Sequence, residues 1–256
     1  MLPPSEAKNA PPSDGTPVDL GALSFPALAA TRSRVLAALV ETSGRPDALA
    51  RLMVGRSLAG EVERNTRLPS VPARPVLEVY AGPLFEALGA TTLSPAGQRR
   101  AAEDVVVVSA LWGALRPVDR IPAYRLNVCS HLVGLPGLEP LWREVLGPVL
   151  AEAAGPEGMV VDLRATSYQA VGRPTGLADR TATLRVLPDV DAQRAAGPQV
   201  SKRTRGAVVR HLVESDGALR TPEELVDVLA ERWPARLSAA PRAGTPWTVD
   251  VVAAAG

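Results

Sequence analysis

The sequence predicts a mixed α/β fold in which helices wrap a twisted central sheet. Two valine-rich runs, residues 105–108 and 159–163, are typical of strands that are buried on both faces. Segments with apolar residues at helical spacing lie between and after these runs. The chain has 256 residues, of which 46% are hydrophobic, so it can bury a large core. We therefore expect a single domain over residues 1–256.

Helices are predicted wherever apolar residues recur three and four positions apart. The predicted helices cover residues 26–41, 46–54, 84–88, 94–102, 138–154, 201–214 and 221–231. Ser94 followed by Pro95 is a typical helix start, and Thr221 with Glu224 forms a capping-box pattern. The last two helices, separated by Asp216 and Gly217, predict a small two-helix unit over residues 201–231.

Shorter elements complete the predicted sheet. Residues 184–186 and 248–252 are expected to be strands. Residues 1–19 are rich in Pro, Ser, Asp and Gly and are predicted to be loop, with only Met1 and Leu2 as an apolar start.

Composition limits the classes of function. The 28 Lys and Arg residues nearly balance 27 Asp and Glu residues, so nucleic-acid binding would require a local basic patch. The single cysteine, Cys129, excludes an internal disulfide and suits a reducing cytosol. No apolar run approaches the length of about 18 residues that a membrane span needs, and no secretory leader is evident. We expect a cytoplasmic protein without a membrane partner.

Polar and aromatic side chains follow the first valine-rich run. Ligands of open α/β sheets bind beyond the carboxyl ends of the strands, so this segment is a candidate site. Guanidinium groups at Arg116 and Arg125 suit phosphate or carboxylate; the alternative is a structural salt bridge between Arg116 and Asp119. Trp112 either stacks on a base or fills the core. Tyr124 is a candidate acid or base.

Two further groups of charged residues are candidates. Ser5, Glu6 and Lys8 form a polar trio that either faces the same crevice or is a solvated terminus. Asp162 lies inside an apolar strand, where a carboxylate needs an arginine partner or has an acid/base role.

A basic group lies near the start of the helix predicted at residues 201–214. Lys202, Arg203 and Arg205 either grip phosphate or form an ordinary charged surface.

Several kinds of chemistry are not indicated. His131 and His211 are the only histidines, and neither has Cys or carboxylate neighbours at metal-ligand spacing. No P-loop or dinucleotide-binding fingerprint occurs. We expect no metal site and no cofactor.

Four segments, taken together, are similar to one known family. Residues 109–126 read S-A-L-W-G-A-L-R-P-V-D-R-I-P-A-Y-R-L, residues 2–8 read L-P-P-S-E-A-K, residues 159–168 read M-V-V-D-L-R-A-T-S-Y, and residues 202–206 read K-R-T-R-G. In order and spacing they resemble the signature segments of the YaaA family of peroxide-stress proteins. Family members usually have a short hydrophobic strand before the P-S-E segment, where this chain has only Met1 and Leu2.

The resemblance implies a peroxide-stress protein that binds DNA through a positively charged cleft and a helix-hairpin-helix-like element near the C-terminus. The first hypothesis is therefore binding of duplex or damaged DNA. The alternative is an enzyme acting on a small anionic or nucleotide-like substrate in the same cleft, with Lys8, Glu6, Tyr124 and Asp162 as acid/base candidates. The predicted DNA contacts are Lys202, Arg203, Arg205, Arg116 and Arg125.

Overall fold

A computed structural model describes residues 1–188, 196–238 and 242–253. The mixed α+β class is confirmed, with several open sheets flanked by helices. The strands are β1 Arg74–Pro75, β2 Val107–Ser109, β3 Gly113–Leu115, β4 Arg120–Ile121, β5 Val160–Asp162, β6 Thr181–Leu187, β7 Ala235–Leu237 and β8 Trp247–Val252. The helices are α1 Ala29–Ser43, α2 Ala48–Arg51, α3 Ala59–Asn65, α4 Val76–Val79, α5 Pro83–Leu88, α6 Pro95–Asp104, α7 Leu138–Ala154, α8 Thr166–Ala170, α9 Pro198–Glu214 and α10 Pro222–Ala230.

The largest sheet has the strand order β5-β6-β8-β7. Strands β5, β6 and β8 are parallel, and β7 pairs antiparallel with β8 at the edge. Strands β2 and β3 form an antiparallel hairpin, and the short strands β1 and β4 form a separate antiparallel pair.

Met1 and Leu2 connect the β2-β3 hairpin to the largest sheet. Leu2 donates to the Val106 carbonyl at 2.8 Å and accepts from the Val108 N–H at 2.9 Å, as in a parallel pair. On its other side, the Met1 nitrogen donates to the Val161 carbonyl at 2.7 Å. The predicted loop is thus wrong at Leu2, because two residues suffice to fill the position of a central strand.

The capping signals are confirmed. The Ser94 hydroxyl accepts from the Gly97 N–H at the start of α6, and Thr221 and Glu224 form the capping box of α10. The helix predicted over residues 46–54 is shorter, because Met53 has a φ of 55° and the chain leaves the helix there. Strand β7 was not predicted, because three residues are too few for an alternating pattern to emerge.

Helix α9 lies against α5 and is followed by α10. The close approach occurs at Gly206, where an added Cβ would lie 2.0 Å from the Leu84 carbonyl oxygen. The two-helix unit near the C-terminus is therefore present as α9 and α10, while its helix-hairpin-helix character stays a prediction. None of the helices in the described ranges combines the length and apolar character that a membrane span requires.

Candidate functional site

Lys8 is held at the end of α4 by backbone hydrogen bonds. Asn9 N–H donates to the Val79 carbonyl at 2.9 Å, and Ala81 N–H donates to the Ala7 carbonyl at 3.1 Å, so Lys8 lies opposite Tyr80. Leu2 pairs in parallel with Val107, the first residue of β2, so the chain that follows Leu2 runs in the direction of the carboxyl end of this strand. In open α/β sheets, ligand sites form beyond the carboxyl ends of parallel strands.

The Lys8 amine lies over aromatic rings. Its Nζ is 4.2 Å from the centre of the Tyr124 ring and 5.6 Å from that of Tyr80, and it donates to the Ser5 carbonyl at 2.9 Å. Burial lowers the pKa of Lys8 to about 8; the Glu6 carboxylate opposes this shift and Arg125 adds to it.

Three hydroxyl groups form a hydrogen-bonded chain beneath Lys8. The Tyr124 Oη lies 2.7 Å from the Ser109 Oγ and 2.9 Å from the Tyr80 Oη. The Ser109 Oγ already accepts from the N–H groups of Leu111 and Trp112, both at 3.1 Å, which occupies its two lone pairs. Ser109 must then donate to Tyr124, and Tyr124 to Tyr80. The proton on the Tyr80 hydroxyl is left to point outward from this chain.

The third tyrosine of the chain belongs to the same cluster. Tyr168 is buried, and its hydroxyl has no hydrogen-bond partner among the described residues. Burial is the largest cause that raises the pKa of Tyr80 to about 12 and the pKa values of Tyr124 and Tyr168 well above the ordinary value. The tyrosine charges also oppose one another, since Tyr168 raises the pKa of Tyr124. All three phenols are therefore neutral hydrogen-bond donors at neutral pH.

Arg125 joins the N-terminal trio to α3. Its guanidinium donates to Glu6 at 3.1 Å and to Glu61 at 2.5 Å, and Asn65 bonds its backbone N–H and carbonyl. The structure thus brings Glu6, Lys8, Tyr124 and Arg125 together. The same contacts neutralise the Arg125 charge, because two carboxylates share it.

Arg116 lies outside this cluster, which differs from the expectation that it lines the same crevice as Arg125. Leu115 pairs with Val107, so Arg116 leaves the hairpin at the end of β2 opposite to Ser109. Its guanidinium contacts backbone carbonyls of Glu103 and Ala153 and lies 5.3 Å from the Phe25 ring centre.

Asp119 does not form the alternative salt bridge. It accepts from the backbone N–H of Arg116 and from the N–H and hydroxyl of Ser24, each at 2.8 Å. Asp119 therefore fixes the turn after β3 through backbone groups.

Two other candidates are structural. Trp112 is 0% exposed and packs edge-to-face against Tyr124 at 6.3 Å between ring centres, so its ring cannot stack on a base. The Asp162 carboxylate forms a buried two-pronged ion pair with Arg164, at 2.8 Å for both bonds. An acid/base role for Asp162 is therefore not favoured by its contacts.

The basic residues of α9 differ in their surroundings. Lys202 and Arg203 are exposed, whereas Arg205 is half-buried and donates to the Ser201 hydroxyl at 2.5 Å. Burial lowers the pKa of Arg205, and the Asp162 charge opposes this shift. The Arg205 Nε is buried without a partner in the described part of the chain.

A small cavity of about 50 Å³ opens beside Lys8 and Tyr124, bordered also by Glu61 and Arg64. Among the residues that the structure describes, no group of three or more His, Cys, Asp or Glu side chains is arranged to hold a metal ion.

Tyr80, Ser109 and Glu61 were not identified as site residues from the sequence. Gly82, two residues after Tyr80, has a φ of 96° and lies against Ser5, so a glycine in this place is the signal that could have indicated a turn beside the site. No sequence signal indicated Glu61, since it is one acidic residue in a charged helix.

The fold and site define a class: an α/β protein with a lysine–tyrosine cluster at the carboxyl end of its sheet. The family described as Peroxide stress protein YaaA matches residues 1–236. A UPF0246 protein of Streptomyces coelicolor is 43% identical over 256 residues, covering 98% of this chain and 97% of that protein. A UPF0246 protein of Corynebacterium efficiens is 36% identical over 230 residues, covering 89% and 90% respectively. The chain belongs to the YaaA family of peroxide stress proteins, also called UPF0246.

Proposed function

We propose that this protein acts in peroxide stress by binding and transforming a small anionic substrate at the Lys8 cluster. The family name supports the stress-related role. The observation that carries the site assignment is a pair of buried tyrosine hydroxyl groups near Lys8, those of Tyr80 and Tyr168, whose protons have no acceptor among the described residues. The Lys8 amine donates to two carbonyl oxygens and, when charged, has one N–H left.

The carboxylates nearest to the cluster already have arginine partners. Arg125 occupies the carboxylates of Glu6 and Glu61, and Arg164 occupies Asp162. A ligand rich in oxygen acceptors, such as a carboxylate or a phosphate, would satisfy the remaining donors. The nearby cavity of about 50 Å³ favours a small ligand group.

Lys8 is suited to proton transfer in this site. With a pKa of about 8, its amine exists in both protonation states near neutral pH, which is the condition for acid/base catalysis. Tyr80 would donate a hydrogen bond to the same ligand, because its proton is directed away from Tyr124.

Binding of inorganic phosphate or oxalate, measured by calorimetry, tests this proposal. We expect binding to the unaltered protein and a loss of affinity of about tenfold or more for Lys8→Gln, since a charged hydrogen bond contributes about 1.5–3 kcal/mol. Lys202→Gln is the matched control and keeps the affinity. Equal loss in both variants, or no binding of either anion, contradicts the proposal.

DNA binding is a second candidate, supported by the exposed charges of α9. Lys202 and Arg203 are adjacent and exposed, and the buried Nε of Arg205 lacks a partner among the described residues. Arg116 and Arg125 contact protein groups, so they support this candidate less than Lys202 and Arg203 do.

Fluorescence anisotropy with intact and nicked duplexes at several salt concentrations tests DNA binding. A double variant, Lys202→Gln with Arg203→Gln, should weaken binding and reduce the salt dependence, whereas Arg34→Gln, on the exposed face of α1, should not. Undetectable binding at low salt would exclude this candidate.

A further inference from the structure

We infer that the Lys8 amine is a nucleophile that captures the carbonyl carbon of a small anionic aldehyde or 2-oxo acid as an imine. The inference rests on the proposed function and adds the class of reaction and of substrate. It follows from the contacts of Lys8, from the direction of the hydroxyl chain and from the composition of the chain.

Lys8 has no ion-pair partner among the described residues. Its amine donates to the carbonyl oxygens of Ser5 at 2.9 Å and Glu6 at 3.4 Å, while the Glu6 carboxylate turns to Arg125. A structural lysine in this position would take the neighbouring carboxylate. An amine that rests on an aromatic face and on carbonyl groups can lose its proton without breaking a salt bridge.

The choice of lysine at this position is informative. Only Lys8 and Lys202 are lysines among the 28 cationic side chains. A guanidinium would supply charge and more hydrogen bonds, but it does not deprotonate in proteins and is a poor nucleophile. Lysine at the centre of the cluster is therefore consistent with a need for a free electron pair.

Addition to a carbonyl group requires a proton donor for the carbonyl oxygen, and the hydroxyl chain supplies one. Ser109 donates to Tyr124 and Tyr124 to Tyr80, so the Tyr80 proton is available to a ligand oxygen. The centre of the Tyr80 ring lies 5.6 Å from the Lys8 Nζ, so the side chain that carries this proton borders the nucleophile. Tyr168 adds a second hydroxyl group without a partner among the described residues, and its charge would act on Tyr124.

The proposed step balances without a redox partner. The neutral Lys8 nitrogen forms a bond to the carbonyl carbon, and the carbonyl oxygen takes a proton from Tyr80. The nitrogen then loses a proton, which returns to the Tyr80 oxygen. The hydroxyl group takes the Tyr80 proton again and leaves as water while the nitrogen lone pair forms the carbon–nitrogen double bond. The last nitrogen proton then returns to the Tyr80 oxygen, which leaves a neutral imine.

Reductive trapping with glyoxylate tests the inference in the intact protein. The protein is incubated with glyoxylate and cyanoborohydride, digested after glutamate residues, and labelling of Lys8 and Lys202 is compared by mass spectrometry. Cleavage after Glu6 separates Lys8 from the Met1 amine. Because an acid/base group contributes at least about 100-fold to such a step, we expect Lys8 to be labelled faster than Lys202 by about tenfold or more.

Tyr80→Phe should lower the labelling rate of Lys8 and leave that of Lys202 unchanged. Equal labelling of the two lysines overturns the inference. If oxalate binds tightly yet Lys8 is not labelled preferentially, the anion site stands and the imine chemistry fails. If oxalate does not bind and Lys8 is still labelled preferentially, the nucleophile stands and the anion site fails. A circular dichroism spectrum of Tyr80→Phe checks that the variant is folded.

Discussion

Gly206 of α9 lies directly against the carbonyl group of Leu84 in α5. An added Cβ at Gly206 would come within 2.0 Å of the Leu84 oxygen and 3.0 Å of the Ala87 Cβ. Helix α5 follows Gly82, which lies against Ser5, so this contact also sets how α9 is placed relative to the N-terminal segment.

Gly206→Ala should destabilise the protein. The two helices have to separate to admit a methyl group, and overpacking of this kind costs about 1–3 kcal/mol or more. Urea unfolding measures the loss. Gly60→Ala in α3 is the matched control, because nothing lies within 4 Å of the added Cβ; there the substitution should stabilise by about 0.5–1 kcal/mol. Equal effects at both positions would show that α5 and α9 do not touch at Gly206.

The stability of the protein should depend on pH through Lys8. Burial lowers its folded-state pKa from 10.5 to about 8, so between these pH values the unfolded chain binds a proton that the folded chain has released. The contribution of Lys8 to the free energy of unfolding therefore rises as the pH increases through this range.

The measurement compares the unaltered protein with Lys8→Met. Urea unfolding of both proteins is measured below pH 8 and again close to pH 10.5. The free energy of unfolding of the unaltered protein should increase relative to that of the variant as the pH rises. The tyrosine contributions are common to both proteins and cancel. A constant difference between the two would mean that the Lys8 pKa is not lowered by folding.

Asp162→Asn should destabilise the protein strongly. The substitution leaves the buried guanidinium of Arg164 without its counter-charge, which costs about 3–5 kcal/mol in comparable pairs. Asp47→Asn is the control, since Asp47 pairs with Arg51 at 2.7 Å on the surface and its loss should not be measurable. Chemical denaturation of the two variants decides whether burial makes the difference.

Ser109→Ala should destabilise the hairpin between β2 and β3. The N–H groups of Leu111 and Trp112 lose their shared acceptor in a fully buried place, at about 1–3 kcal/mol for each unpaired group. Ser70→Ala, at an exposed hydroxyl, should change stability by no more than about 0.5 kcal/mol. A neutral result at Ser109 would contradict the proton order assigned to the hydroxyl chain.

The sequence predicts the fold well where the signals are local. Helix α7 begins and ends at the predicted residues, and the capping box of α10 is present as the pattern requires. These features depend on neighbouring residues along the chain, so they are visible before folding.

The residues of the site are harder to predict from the sequence, because turns of the chain determine which of them meet. Arg116 follows Ser109 closely in sequence, but Gly113, with a φ of 65°, begins the returning strand of the hairpin and carries Arg116 to the opposite end. Tyr80 and Glu61 reach the site from separate helical segments, and their pairing with Tyr124 and Arg125 has no periodic signature. From the sequence, a crevice shared by the N-terminal trio and Arg125 was one of two open alternatives, the other being a solvated terminus.

The pairing of Met1 and Leu2 has a consequence for the order of assembly. Their partners include Val106 and Leu163, and the bond from Met1 to Val161 spans 160 residues of chain. Closing a loop of that length has an entropic cost, so we expect the hairpin and the large sheet to form before Met1 and Leu2 join them. Before that, the strand edges that Met1 and Leu2 cover in the hairpin and in the large sheet have no partner. A newly made molecule can then pair with another copy of itself at these edges.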